Sequence, residues 1–162
     1  LYQNFSNQYY NNIVDLLSHK LGVTLKVFGL GYFSLKTGVN FMFVKHQNGK
    51  KMSGMLLYQD FCVKFPKPNF SFIARVALFD TDSYNERLYA YENDLTQTFT
   101  IASYYGKGMK FYAICQYKWR FISFQIKISR LLFRDRNSVG SGLEEINANH
   151  KTEVKGQIIL SF

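Results

Sequence analysis

HKTEVKGQIILSF, residues 150–162, is the stretch whose reading decides the fold. Laid out as an extended strand, Thr152, Val154, Gly156, Ile158, Leu160 and Phe162 point one way, and Lys151, Glu153, Lys155, Gln157 and Ser161 the other. Side chains alternate across a strand, so one face is apolar and the other charged. Such a strand suits either a sandwich core or a sheet with lipid on one side.

The alternation runs unbroken to a terminal aromatic residue. Leu160 and Phe162 resemble the C-terminal signal by which outer-membrane β-barrels are recognised for insertion, with Gly156 four residues before Leu160 where that signal usually has three. Composition points the same way. Within 162 residues, 47% are apolar, aromatics make up 18%, and there are 16 Phe, 12 Tyr and only two Pro. That balance favours sheet over helix. No stretch approaches the roughly 18 continuous apolar residues of a membrane helix, so a membrane protein of this sequence must be a barrel. The net charge of +9 fits nucleic acid, an anionic membrane or an anionic solute, but the basic residues stand singly along strands, as on a lumen or solvent face. Two cysteines, Cys62 and Cys115, are too few for a disulfide framework. The chain has neither an initiator Met nor a signal peptide, which suggests processing or a piece of something longer.

Period-two patterning marks the strands. Residues 1–12 read as loop, 9–17 as a weak strand, 18–22 (SHKLG) as a turn and 23–28 as a short strand closed by Gly29-Leu30-Gly31. Phe33, Leu35, Val39, Phe41 and Phe43 share a face opposite Ser34, Lys36 and Asn40, and residues 47–51, with Asn-Gly, read as a hairpin loop. Met55, Leu57, Phe61, Val63 and Phe65 then oppose Tyr58, Asp60 and Lys64. After a reversal at 66–69, Phe70, Phe72, Ala74, Val76 and Leu78 oppose Ser71 and Arg75. Residues 80–108 have no single period. Phe111, Ala113, Cys115, Tyr117 and Trp119 resume the alternation, followed by Ile122, Phe124, Ile126, Ile128 and Leu132 set against Lys127 and its neighbours. This makes eight strands, or ten if residues 89–101 hide a hairpin.

The reversals at 66–69 and near Trp119 are short and lie on the C-terminal rim, while 80–108 and 134–149 are long and lie on the other. Bacterial outer-membrane barrels have this asymmetry. Phe65, Phe70, Tyr117, Trp119, Phe121 and Phe162 would then form an aromatic girdle at the short-turn rim.

The runs GMLLYQD (54–60), ARVALFDTDSYNERLYAYEND (74–94), SYYGKGMKFY (103–112) and GSGLEEINANHKTEVK (140–155) resemble the C-terminal end of a family of Bacteroidota outer-membrane β-barrels described as helix-hairpin-helix domain-containing proteins. The resemblance covers residues 52–162, while residues 1–51 match only in strand rhythm. It implies a larger barrel, of which this chain is the C-terminal part, with a helical segment upstream. Nucleic-acid contact is implied only through that absent segment.

Candidate chemical sites are weak. Asp80, Asp82, Tyr84 and Glu86 alternate like a calcium loop but lack the glycine and the distal Glu of an EF-hand. Arg87, Glu92 and Asp94 are better placed to pair with sheet lysines and arginines and hold the long loop inside. Gly106-Lys107-Gly108 and Gly140-Ser141-Gly142 lack the following helix of a phosphate loop. Glu144-Glu145 would face opposite ways in a strand, and His19, His46 and His150 have no nucleophile beside them. We therefore expect no enzyme, no metal and no cofactor.

The reading is an all-β, antiparallel transmembrane barrel of about eight to ten strands, one domain over 1–162, in a bacterial outer membrane. Its apolar faces meet lipid, and Lys36, Arg75, Lys127, Lys151, Glu153 and Lys155 face the lumen. Its partners would be outer-membrane lipid, the barrel-assembly machinery and an unidentified protein or solute, with the bulky 80–108 loop making it a plugged scaffold more than a channel. A soluble or periplasmic barrel or sandwich binding a small ligand is the alternative, with the apolar faces meeting in a core. A role in DNA handling through the upstream segment is the third.

Overall fold

The computed structural model describes residues 17–29, 31–45, 51–140 and 142–161. Seven strands form one antiparallel sheet in the order β1 (Leu17–Gly29), β2 (Phe33–Lys45), β3 (Lys51–Phe65), β4 (Phe70–Thr81), β7 (Lys107–Trp119), β8 (Ile122–Phe133) and β9 (His150–Leu160). The remaining strands, β5 (Leu88–Glu92) and β6 (Thr100–Tyr104), form a separate two-stranded hairpin inserted between β4 and β7. The fold is all-β and antiparallel.

Three expectations are corrected. Residues 18–22 are not a turn: β1 runs straight through them, paired residue for residue with β2 from Leu17↔Lys45 to Gly29↔Phe33. Gly22 in mid-strand reads locally as a breaker, but thirteen consecutive cross-strand pairs outweigh one poor strand former. The hairpin hidden in 80–108 exists, yet it adds no strands to the sheet and folds over its face. The sheet is also not closed into a barrel among the described residues, since β1 pairs only with β2 and β9 only with β8. The expected strand at 9–17 lies outside the described residues except for Leu17, as do the 47–51 loop except for Lys51, and Phe162.

Register carries whole rows of side chains across the sheet. One row on the inner face reads Lys26, Lys36, Asp60, Arg75, Tyr112, Ser129 and Glu153. The adjacent outer row reads Val27, Leu35, Phe61, Ala74, Ala113, Ile128 and Val154. The hairpin covers the inner face. Its alternation is strict, with Leu88, Ala90, Glu92, Ala102 and Tyr104 turned down to the sheet and Tyr89, Tyr91, Ile101 and Ser103 outward. Leu88, Ala90, Ala102 and Tyr104 pack on Leu56, Tyr58, Ala77, Phe79 and Phe133, and form the main apolar core. A second cluster at the hairpin tip joins Leu95 to Tyr112, Ile114 and Ile73.

Two glycines make room for this arrangement. A Cβ at Gly38 would run into the Tyr58 ring, and one at Gly54 would lie 2.6 Å from the Glu86 carbonyl oxygen, where the chain leaves β4 for the hairpin.

The rims differ in length. Residues 31–32, 66–69 and 120–121 lie at one end, and residues 82–106, 134–140 and 142–149 lie between strands at the other. Phe65, Phe70, Tyr117 and Phe124 are register partners in one row near the short-turn end. Tyr32 stacks on Phe65 with ring centroids 6.1 Å apart, and Trp119 and Phe121 stand exposed below that row.

Candidate functional site, a buried charge lattice under the hairpin

Beside its apolar core, the inner face carries a band of charged and polar side chains, and the hairpin lies over it row by row. At its base Leu88 packs in the Phe79 and Phe133 cluster. One row deeper, Glu92 meets the Lys110 ammonium at 2.7 Å and accepts a 2.6 Å hydrogen bond from the Tyr104 hydroxyl. In the Arg75 row, the Tyr91 carbonyl accepts from Arg75 and the Asn93 amide donates to the Tyr112 hydroxyl at 2.9 Å. Next, Asp94 meets Lys127 at 3.2 Å and Lys155 at 3.4 Å. At the tip, the Thr96 amide donates to Gln125 Oε1 at 2.8 Å, and Gln125 Nε2 donates back to Thr96 Oγ1 at 2.7 Å.

The centre of the lattice is Arg75, 3% exposed. Its Nε donates to Asp60 Oδ1 and its Nη2 to Asp60 Oδ2 at 2.8 Å, a two-pronged pair across β3 and β4. The guanidinium lies 4.5 Å from the centroid of the Tyr58 ring that Gly38 admits. A charge this deep is tolerable only when paired and fully hydrogen-bonded. Arg75 is paired with Asp60, and each of its three nitrogens donates a hydrogen bond, to Asp60 or to the Tyr91 carbonyl.

Asp94 sits in the loop between the hairpin strands with its carboxylate 1% exposed. Burial alone would push its pKa up. The Thr100 hydroxyl, the Leu95 amide and the Lys127 ammonium outweigh that and hold it at about 2, below the ordinary 3.8. The Tyr104 hydroxyl is raised well above its ordinary value by burial and by the Glu92 carboxylate.

All six residues expected to face a lumen (Lys36, Arg75, Lys127, Lys151, Glu153 and Lys155) lie on this inner face. Their environments differ: Arg75 and Lys127 are buried, Lys36 and Lys155 half-buried, Lys151 and Glu153 exposed. The acidic and basic cluster of 80–94 does not stay together. Glu92 and Asp94 reach sheet lysines. Arg87 instead donates to the Tyr89 hydroxyl and the Tyr84 carbonyl, so its expected pairing with the sheet is corrected. Asp80 pairs with exposed Lys107, Asp82 accepts from the Ser53 amide, and Glu86 accepts from the Ser83 hydroxyl. No three His, Cys, Asp or Glu side chains come together to hold a metal ion among the described residues.

Other candidates fall elsewhere. Cys62 shares the inner face with Ile73, whereas Cys115 shares the outer face with Phe72, so the two thiols lie on opposite sides of the sheet. Gly142 to Glu144 form a short 3-10 turn in the connection between β8 and β9, so Glu144 and Glu145 lie outside the strands. Asp60, Lys110, Tyr112 and Gln125 also belong to the lattice, and sequence patterning did not single them out. Lys110 and Tyr112 occupy the parity opposite Phe111 and Ala113, so that parity was the available signal. The chain matches no family model, curated protein or solved structure in the comparisons made.

Proposed function

We propose that this chain is membrane-spanning sheet of an outer-membrane β-barrel whose lumen is filled by the β5–β6 hairpin, acting as a plugged scaffold and not as an enzyme. The observation that carries the reading is inverted burial. Ile126, Ile128 and Val154 are 44%, 47% and 63% exposed, while Arg75 and Lys127, on the opposite face, are 3% and 4% exposed. Water penalises an apolar face of this extent, and hydrocarbon does not.

The height of the apolar face is consistent with a bilayer. On β8, the outward residues from Ile122 to Ile128 are apolar, and Arg130 is the first outward charge, eight positions above Ile122. At roughly 3.3 Å per residue and a tilt of about 40°, that interval is about 20 Å tall, close to the apolar band of such barrels. Arg130 would then lie near the long-loop interface, and the Phe65, Phe70, Tyr117 and Phe124 row near the other.

Strand direction bears on closure. β1 and β9 run the same way, so an all-antiparallel barrel needs an odd number of further strands between them. The resemblance to Bacteroidota barrels with upstream helix-hairpin-helix segments supports the same location. Lipid would be the partner of the outer face, and the barrel-assembly machinery the partner of the Leu160 end.

The test is site-specific labelling of the full chain in membranes, with Cys62 and Cys115 replaced by Ser. We expect Ile126→Cys and Val154→Cys to react only with a lipid-phase probe and Lys151→Cys only with a water-soluble thiol reagent. Free reaction of positions 126 and 154 with the water-soluble reagent would overturn the reading. The exposed Lys151 is preferred to Lys127 because the hairpin covers the latter.

A further inference from the structure

The hairpin neutralises only part of the inner face. Lys110, Lys127 and Lys155 each meet a hairpin carboxylate. Across β1 to β3 the same face carries Lys26, Lys36 and Lys64, and no carboxylate pairs with any of them among the described residues. All three line one cavity of about 430 Å³, with Ser34 and Asn93 also at its wall. The two acids that border it are already engaged. Asp60 gives both oxygens to Arg75, and Glu92 is held by Lys110 and Tyr104.

We propose that this cavity binds a small solute carrying two or more anionic groups, phosphate or carboxylate, with Lys26, Lys36 and Lys64 as its cationic contacts. Like charges converging on a hollow repel one another, and a polyanion relieves that repulsion while accepting charge-assisted hydrogen bonds. The volume is in the range of small-molecule sites. Lys26 and Lys36 are register partners on neighbouring strands; the Lys26 ammonium lies 4.6 Å from the Phe28 ring centroid and the Lys36 ammonium 5.5 Å from that of Tyr58, which flanks Arg75. The inference rests on the cavity and not on lipid contact. Its failure leaves the labelling result at positions 126 and 154 standing, and the converse holds.

Calorimetric titration of the full chain with inorganic pyrophosphate, and with citrate, at low ionic strength tests it. One saturable equivalent is expected. Lys36→Gln should weaken binding about tenfold, as loss of one charged hydrogen-bond donor does. The Lys26→Gln/Lys64→Gln pair should weaken it at least as much, and carries the test if Lys36→Gln does not fold. Lys151→Gln, on the same face but outside the cavity, should bind like the parent chain. Absence of saturable binding by the parent chain, or equal weakening by Lys151→Gln, would overturn the proposal. The titration is run in phosphatidylcholine nanodiscs and again with phosphatidylglycerol added. Unchanged affinity supports a free solute, and loss of the site in the second case identifies a lipid headgroup as occupant and overturns the free-solute assignment.

Discussion

The two halves of the inner face hold the same kind of side chain in different states. Under the hairpin, three lysines and one arginine are buried or half-buried and each has a carboxylate: Lys110 with Glu92, Lys127 and Lys155 with Asp94, Arg75 with Asp60. Beyond the hairpin, Lys26, Lys36 and Lys64 face a hollow unpaired. The difference shows what the insertion between β4 and β7 does physically. It brings two carboxylates, a carbonyl and a set of amides to a depth where the sheet alone would leave cations stranded, and among the described residues it brings no carboxylate to the lysines of β1 and β2.

The covered half should be the more fragile to charge removal. Asp60→Asn leaves Arg75 buried without its counter-ion, and we expect a loss of about 3–5 kcal/mol in equilibrium unfolding. Asp94→Asn strips Lys127 and Lys155 together and should cost about 3 kcal/mol. Adding Lys127→Met to it should return a good part of that loss, because it removes the buried ammonium that Asp94→Asn leaves without a counter-ion. Recovery by the double variant separates an electrostatic cause from a damaged loop.

Acid should dissolve the same contact with a predictable sign. The pKa of Asp94 is held at about 2 against an ordinary 3.8, so its contribution is complete above about pH 4 and is lost as pH falls toward 2. That is worth about 2 kcal/mol, read as faster hydrogen exchange at the amides of residues 93–99 over that window. At the border between the halves, Gly38→Ala pushes against the Tyr58 ring and should cost about 1–2 kcal/mol. The uncovered half should give the smallest response. Lys36→Gln breaks no ion pair and should move stability by less than about 0.5 kcal/mol. A large loss there would mean that the two halves do not differ as described.

The strands and the identity of each face were legible because alternation is local. Residues such as Ile126, Lys127 and Ile128 declare their sides two positions at a time, and antiparallel register then carries that choice across seven strands. Segment 18–22 misread because Ser18, His19 and Gly22 are weak strand formers, and their pairing with β2 is invisible from within the segment. The hairpin's strands were anticipated, but not its place over the sheet. That depends on distant groups: Thr96 meets Gln125, and Asp94 meets a lysine 61 residues away. For the same reason Glu92 and Asp94 could not be told from Asp80 and Asp82 by composition. Only docking sends the first two inward.

The insertion between β4 and β7 also has a consequence for the order in which the chain folds. Every other neighbouring pair in the sheet is consecutive in sequence, whereas β4 must find β7 across residues 82–106, at a loop-closure cost roughly 2 kcal/mol above that of a tight turn. Formation of β5 and β6 first would shorten that search, since the hairpin brings Thr81 and Gly106 close enough for the Thr81 amide to donate to the Gly106 carbonyl at 3.0 Å. The segment that later fills the face would thus first act as a splint, joining the two parts of the sheet before its own side chains have anything to neutralise.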